Sequence, residues 1–185
     1  MPTVFTHVVP ALVGGYIFSS WRNDNSTKVK TLFWFLSICI TILPDADAVG
    51  FLLGIPYEHQ LGHRGASHSL TFALFTAFLF VTMLRIAGGN FLRIRLYIFF
   101  FTLALTHPLL DMITSGGLGM AIFWPFDLQR YFFPVRPVRV SAIGGVEILF
   151  TNRMLKVLQS ELLYIWLPGF LLMITVFPFR WKRKN

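Results

Sequence analysis

Five apolar segments recur along this chain, at about 8–20, 31–43, 69–87, 94–112 and 161–178, and they leave it few ways to fold. A helix crossing a bilayer wants roughly 20 predominantly apolar residues. The third, fourth and fifth segments meet that requirement. The first two are shorter, and the second runs straight into Pro44-Asp45-Ala46-Asp47. These two span only by extending into polar residues buried against neighbouring helices, because unpaired backbone is costly in lipid. Composition points the same way: 55% of the 185 residues are hydrophobic and 13% are charged, where a soluble domain carries about 25% charge. A soluble domain of this size cannot hide 21 Phe among so much other apolar surface. The expectation is an all-α membrane protein of about five hydrophobic helices, two of them short. It forms a single multi-pass domain over residues 1–185, with 113–160 as a long interfacial connector.

The net charge of +8 does not point to nucleic acid, since no basic stretch forms a soluble face. In a membrane protein, excess Lys and Arg records orientation and contact with anionic headgroups. With five spans, three regions share one side: 21–30 with Arg22, Lys28 and Lys30; 85–95 with Arg85, Arg93 and Arg95; and the tail with Arg180, Lys182, Arg183 and Lys184. Together they hold ten of the 16 basic residues. Arg64, Arg130, Arg136, Arg139, Arg153 and Lys156 are spread over two longer connectors on the other side. The positive-inside rule makes the dense side cytoplasmic, with the N-terminus outside and the C-terminus inside. The opening Met-Pro-Thr-Val-Phe-Thr-His lacks a basic n-region and an evident cleavage site, so it reads as mature sequence. Cys39, the only cysteine, excludes an intramolecular disulfide and a cysteine zinc cluster, and reads as a small buried hydrophobe.

Within 113–160, Gly116-Gly117, Pro125, Pro134, Pro137 and Gly144-Gly145 break any long helix. Phe123-Trp124-Pro125-Phe126 suits headgroup level, and the alternation from Pro137 to Ile143 allows a short strand.

A topology derived from Lys and Arg alone places all five histidines at one membrane face: His7 before the first helix, His59, His63 and His68 between the second and third, and His107 near the end of the fourth. Asp45, Asp47 and Asp111 fall there too. Imidazole and carboxylate are the ligand pair of zinc and related divalent ions, and ionisable groups at membrane depth are expensive enough to ask for a function. His107 and Asp111 stand four apart, on one face of a helix. Pro108 between them should kink or restart that helix. The alternative for this pair is a polar contact between packed helices. Asp45 and Asp47 can share a metal, or one can ligate while the other orients a histidine; alternatively one caps a helical turn.

In His63-Arg64-Gly65-Ala66-Ser67-His68-Ser69, Gly65 permits tight backbone geometry, and Ser67 or Ser69 can cap the next helix. Arg64 offers a fork suited to phosphate or carboxylate. His68 is the preferred ligand, and His63 is a ligand or a general acid–base. His59 is the weakest candidate. His7 gains weight as a ligand from its position at the same face. Thr6 and Thr106, each preceding a histidine, can hydrogen-bond nearby groups. Asp127, Arg130, Arg136 and Arg139 can meet an anionic substrate or, equally, lipid headgroups.

Read together, these residues resemble the YdjM-type inner-membrane proteins, which are described as membrane-bound metal-dependent hydrolases. The resemblance runs over nearly the whole chain. It is carried by Met-Pro-Thr-Val with Thr6-His7, Leu43-Pro44-Asp45-Ala46-Asp47, Gly62-His63-Arg64-Gly65 and Ser67-His68-Ser69. It continues in His107-Pro108-Leu109-Leu110-Asp111, Thr114-Ser115-Gly116-Gly117, Trp124-Pro125 and Arg130-Tyr131-Phe132-Phe133, and ends in Ser160-Glu161-Leu162 and Trp166-Leu167-Pro168-Gly169. It implies a bacterial inner-membrane protein with a divalent metal, most simply zinc, with manganese as the alternative. The His-x-x-x-Asp pair of His107 and Asp111 also looks like that of zinc-dependent phospholipase C and S1/P1-type nucleases. A second such pair is missing here, which implies one or two ions instead of three.

The expected function is a metal-dependent hydrolase at the outer face. His7, Asp45, Asp47, His68, His107 and Asp111 supply the metal ligands, Asp47 or His63 acts as general base, and Arg64 holds an anionic group. A phosphoester of a lipid or lipid-linked molecule is the natural substrate. A non-catalytic protein binding metal or anionic lipid is the competing expectation, and a metal kept for structure alone is a third. A metal carrier fits poorly, because the helices lack carboxylates along a path to the basic side.

Overall fold

The computed structural model describes residues 1–19, 26–89, 93–141 and 151–184; Arg22, Gly144-Gly145 and the end of the expected 137–143 strand lie outside them. The described residues form helices α1 (Val4–Ser19), α2 (Thr27–Ile42), α3 (Val49–Leu52), α4 (Leu70–Ile86), α5 (Arg93–Met112), α6 (Asn152–Glu161) and α7 (Leu167–Lys184). No strand occurs among them, so the fold is all-α. The alternation from Pro137 onward contributes only an isolated bridge, Val138 to Thr114.

Five apolar helical stretches are present, but which of them are short differs from expectation. Pro44 does not end the second helix. It enters at the start of a 3-10 turn, Leu43–Ala48, where a missing N–H costs little, and helicity resumes in α3. The result is a 26-residue apolar stretch, Thr27–Leu52. Arg93–Met112 and Asn152–Pro178 are the other two stretches long and apolar enough to cross a membrane, while Val4–Phe18 and Leu70–Ile86 are shorter. The short helices are therefore the first and the third. The 113–160 connector is also shorter than expected, because Thr151 caps α6 through a hydrogen bond from Met154 N (3.2 Å). From there helix continues through a π turn, Leu162–Trp166, into α7. Nor does α5 restart at Pro108; it runs unbroken to Met112.

The helices pack around α5, which touches α1, α2 and α4. Phe33, Leu36 and Ile40 of α2 meet Ala73, Ala77 and Leu84 of α4 and Phe100 and Leu103 of α5 in one buried cluster. Between apolar helices in lipid, close contact supplies the attraction that water would otherwise supply. Gly15 of α1 lies so close to the Trp34 ring that a Cβ there would overlap it. Polar side chains inside the bundle close on their own backbone: Ser37 Oγ donates to Phe33 O (2.7 Å) and Thr76 Oγ1 to Phe72 O (2.8 Å). Large apolar side chains face outward, with Phe75 63% and Phe78 64% exposed, as suits a lipid-facing surface.

Candidate metal centre

Four helix ends bring the polar residues together at one end of the bundle: the start of α1, the end of α2 with its 3-10 turn, the start of α4 and the end of α5. Asp45, His68, His107 and Asp111 each offer a ligand atom, and these atoms all lie within 4.8 Å of one another. His107 Nε2 is 3.1 Å from His68 Nε2 and 3.3 Å from Asp45 Oδ1. His68 Nε2 is 3.7 Å from both Asp45 Oδ1 and Asp111 Oδ2.

The backbone decides which nitrogen each imidazole presents. His107 Nδ1 lies 2.7 Å from the carbonyl of Thr41. A carbonyl only accepts, so Nδ1 carries the proton and Nε2 faces the cluster with its lone pair. Thr41 stands just before the 3-10 turn, where donors pair three residues back instead of four and Pro44 donates nothing, so its carbonyl is available. His68 Nδ1 lies 3.2 Å from Asp47 Oδ2, which turns its Nε2 inward in the same way. His68 sits outside the apolar helices. Burial alone would lower its pKa, but the carboxylates of Asp45, Asp47 and Asp111 reverse this and push it up to about 9.

Asp45 and Asp47 therefore divide their work. Asp45 belongs to the convergent set. Asp47 lies behind it, bonded to His63 Nδ1 (2.7 Å), Ser67 Oγ (2.5 Å) and the Arg64 N–H (3.2 Å). Asp47, His63 and His68 form a second group of possible ligands sharing one histidine with the first. His7 stands just outside the four. Its ring stacks on His107 at 3.8 Å, and its Nε2 is 3.6 Å from Asp111 Oδ1, too long for a hydrogen bond. Asp111 thus turns one oxygen toward His68 and the other toward His7.

Both nitrogens of His7, both oxygens of Asp45 and Asp111, and Arg64 Nε are buried without a hydrogen-bond partner. Buried polar groups are normally satisfied, and so many orphans in one place match the donor set of a divalent cation. Two imidazoles with two carboxylates are a donor set that could hold a divalent metal ion.

Arg64 is a buried cation at this site, 1% exposed, with a left-handed backbone at φ 66°. Its Nη1 donates to Gly116 O (2.8 Å) and its Nε lies 3.6 Å from Asp111 Oδ2. Gly117, at φ 95°, is pressed against this guanidinium so closely that a Cβ would overlap it. The connector after α5 folds back over the site: Ala121 N donates to Arg64 O (3.1 Å) and Leu70 N to Ile122 O (2.9 Å).

The remaining candidates are elsewhere. His59 is exposed, and its Nδ1 accepts from Leu61 N (3.1 Å). Arg130 donates to the carbonyls of His63, Tyr57 and His59, so it braces the loop and does not face the cluster. Arg136 lies over the Phe132 ring at 4.7 Å. Asp127 accepts from Tyr131 Oη and Gln129 N. Thr106 Oγ1 donates to Leu103 O (2.6 Å). Cys39 is half-buried with a free thiol.

Sequence reasoning assigned no role to Glu161. It is fully buried and accepts from Thr3 N (2.6 Å), Thr3 Oγ1 (2.7 Å) and Thr6 Oγ1 (2.7 Å), while Trp166 Nε1 donates to Thr6 Oγ1 (2.7 Å). These bonds cap the helix that carries His7. A carboxylate at the edge of an apolar run was the available signal.

A cleft of about 450 Å³ reaches Asp47 from the side, lined by Leu61, Phe72, Phe75 and Trp124 together with Ser67. Phe75 opens onto the lipid-facing surface of α4, so the cleft joins that surface to the carboxylate that orients His63 and His68.

No solved structure matches this chain. Inner membrane protein YbcI of Escherichia coli (strain K12) is 35% identical over 188 residues, covering all of both chains. The family described as YdjM inner membrane protein matches residues 1–184. The chain therefore belongs to the YdjM inner membrane protein family, and its helices are those of a bacterial inner-membrane protein.

Proposed function

We propose that this protein is a metal-dependent hydrolase acting on a phosphoester of a lipid or lipid-linked molecule at the periplasmic face. The observation that carries this reading is the convergence of Asp45, His68, His107 and Asp111 with their unpartnered buried atoms. His7 joins them through the second oxygen of Asp111. A zinc or manganese ion held there would lower the pKa of its bound water and polarise the phosphoryl group. The protein's own groups do the rest. Thr41 O and Asp47 fix the two imidazoles, so little reorganisation is needed when a ligand arrives. Arg64, locked by Gly116 O and the Gly117 contact, supplies a positive charge to an anionic substrate. His63, paired with Asp47 at 2.7 Å, is the general base. The apolar cleft at Asp47 favours a substrate with a hydrocarbon chain.

The ten basic residues of the opposite side support an orientation with the centre outside and the C-terminus in the cytoplasm. Reporters fused after Lys184 and within 113–141 should therefore report opposite sides. Purified protein should hold zinc or manganese and hydrolyse a long-chain phosphodiester, and His107→Ala and Asp111→Ala should abolish both. Unchanged metal stoichiometry in both variants overturns the site.

A further inference from the structure

At the end of the bundle away from the metal centre, α4 and α5 border a groove of about 610 Å³. Its walls are Phe78, Val81, Ile94 and Tyr97, and Arg85 and Arg93 stand where the helices meet their loop. We propose that this groove binds one anionic phospholipid, with its phosphate between Arg85 and Arg93 and an acyl chain along the apolar walls.

Three observations carry this. On α4 the lining positions 78, 81, 82 and 85 recur at three and four residues, so they form one stripe. That stripe passes from apolar to cationic along its length, which is the polarity of a lipid from chain to headgroup. Arg85 is tethered there, since its Nη1 donates to Gly89 O (3.0 Å), and Arg93 is exposed at the first turn of α5. The positive end of this 20-residue helix dipole adds to the two guanidinium charges. Among the described lining residues none is acidic. Basic pockets between membrane helices recognise anionic headgroups in this way, and a volume of this size is typical of a small-molecule site. Free phosphate would leave the apolar walls uncovered, so a lipid is the better match. The site is independent of the metal centre, because Arg85 and His68 are separated by the length of α4, roughly 25 Å at 1.5 Å per residue.

Native mass spectrometry of the full chain, released from a zwitterionic detergent with defined lipids added, tests this directly. One phosphatidylglycerol should bind in preference to phosphatidylcholine, and excess inorganic phosphate should not displace it. Arg93→Gln should weaken retention roughly fivefold, and Arg85→Gln with Arg93→Gln roughly 30-fold. Ile94→Trp, at an exposed position of the groove wall, keeps both charges but fills the groove and should also reduce it, while Lys28→Gln should not. Size-exclusion elution checks that each variant is folded. Equal retention of the two lipids, unchanged retention in the double variant, or displacement by inorganic phosphate would each overturn the proposal.

Discussion

At one end of the bundle His7, His68, His107 and Asp111 are buried and turned toward one another, with their polar atoms partly unpaired. At the other end Lys28, Lys30 and Arg93 are exposed, and Arg85 lines an open groove. Both ends are charged, yet only the first removes its charge from water. Taking a carboxylate out of water costs several kcal/mol unless something compensates it. Three aspartates gather around one buried guanidinium, and a divalent cation would offset carboxylate charge held there. The exposed cations need no such partner. Burial, more than charge itself, separates a site from a surface.

That contrast makes its sharpest prediction inside a single turn. Asp45→Asn removes a member of the convergent set, and bound metal should fall from stoichiometric to near zero. Asp47→Asn leaves the set complete but loosens His68 and His63, so metal should remain bound with affinity lower by about 10–100-fold, the usual effect of losing an orienting partner. Metal analysis after dialysis, with competition titration against a chelator, measures both. If Asp47→Asn loses the metal and Asp45→Asn keeps it, the two roles are reversed.

How far the sequence foretold this centre depended on what each feature needed to know. The grouping of His7, Asp45, His68, His107 and Asp111 was legible because helix alternation and basic-residue bias fix which ends lie together, without any side-chain detail. The five apolar helices were legible from hydropathy alone. Pro44 was misread because a local rule treats proline as a stop, whereas a 3-10 turn packed against His107 lets the chain continue. The division between Asp45 and Asp47 was left open, since both face the same end and only the bonds of Asp47 to His63, the Arg64 N–H and the Ser67 hydroxyl set it apart. Gly117 matters through Arg64, a contact between distant parts of the chain that spacing cannot reveal. Glu161 went unassigned because its partners, Thr3 and Thr6, lie at the opposite end of the sequence.

A smaller effect follows from the proton on His68. Its pKa is raised in the folded, metal-free protein, so the stabilisation it gives is complete below 6.5 and is lost as pH rises through about 9. Metal at Nε2 must displace that proton. Zinc affinity should therefore rise by about tenfold per pH unit between 6.5 and 9 and then level off, while the metal-free protein grows less stable over the same range. Titration with a buffered zinc indicator, alongside thermal unfolding with and without metal, checks both slopes. Equal slopes of the same sign would mean that His68 is not the group exchanging proton for metal.

The smallest expected effect tests the exposed end. Lys28 and Lys30 lie in the first turn of α2, where a positive charge meets the positive end of the helix dipole and gains nothing from it. Both are exposed. Replacing both with Gln should change the unfolding free energy by no more than about 0.5 kcal/mol, the usual range for surface positions, and should leave metal binding unchanged. What the pair can still affect is orientation, because the positive-inside bias counts residues near helix ends regardless of their contacts. Reporter fusions on the Lys28→Gln, Lys30→Gln chain should show a small fraction of inverted molecules and an otherwise normal protein. A large loss of stability with orientation intact would mean that these lysines hold structure, and that the two ends differ less than their burial indicates.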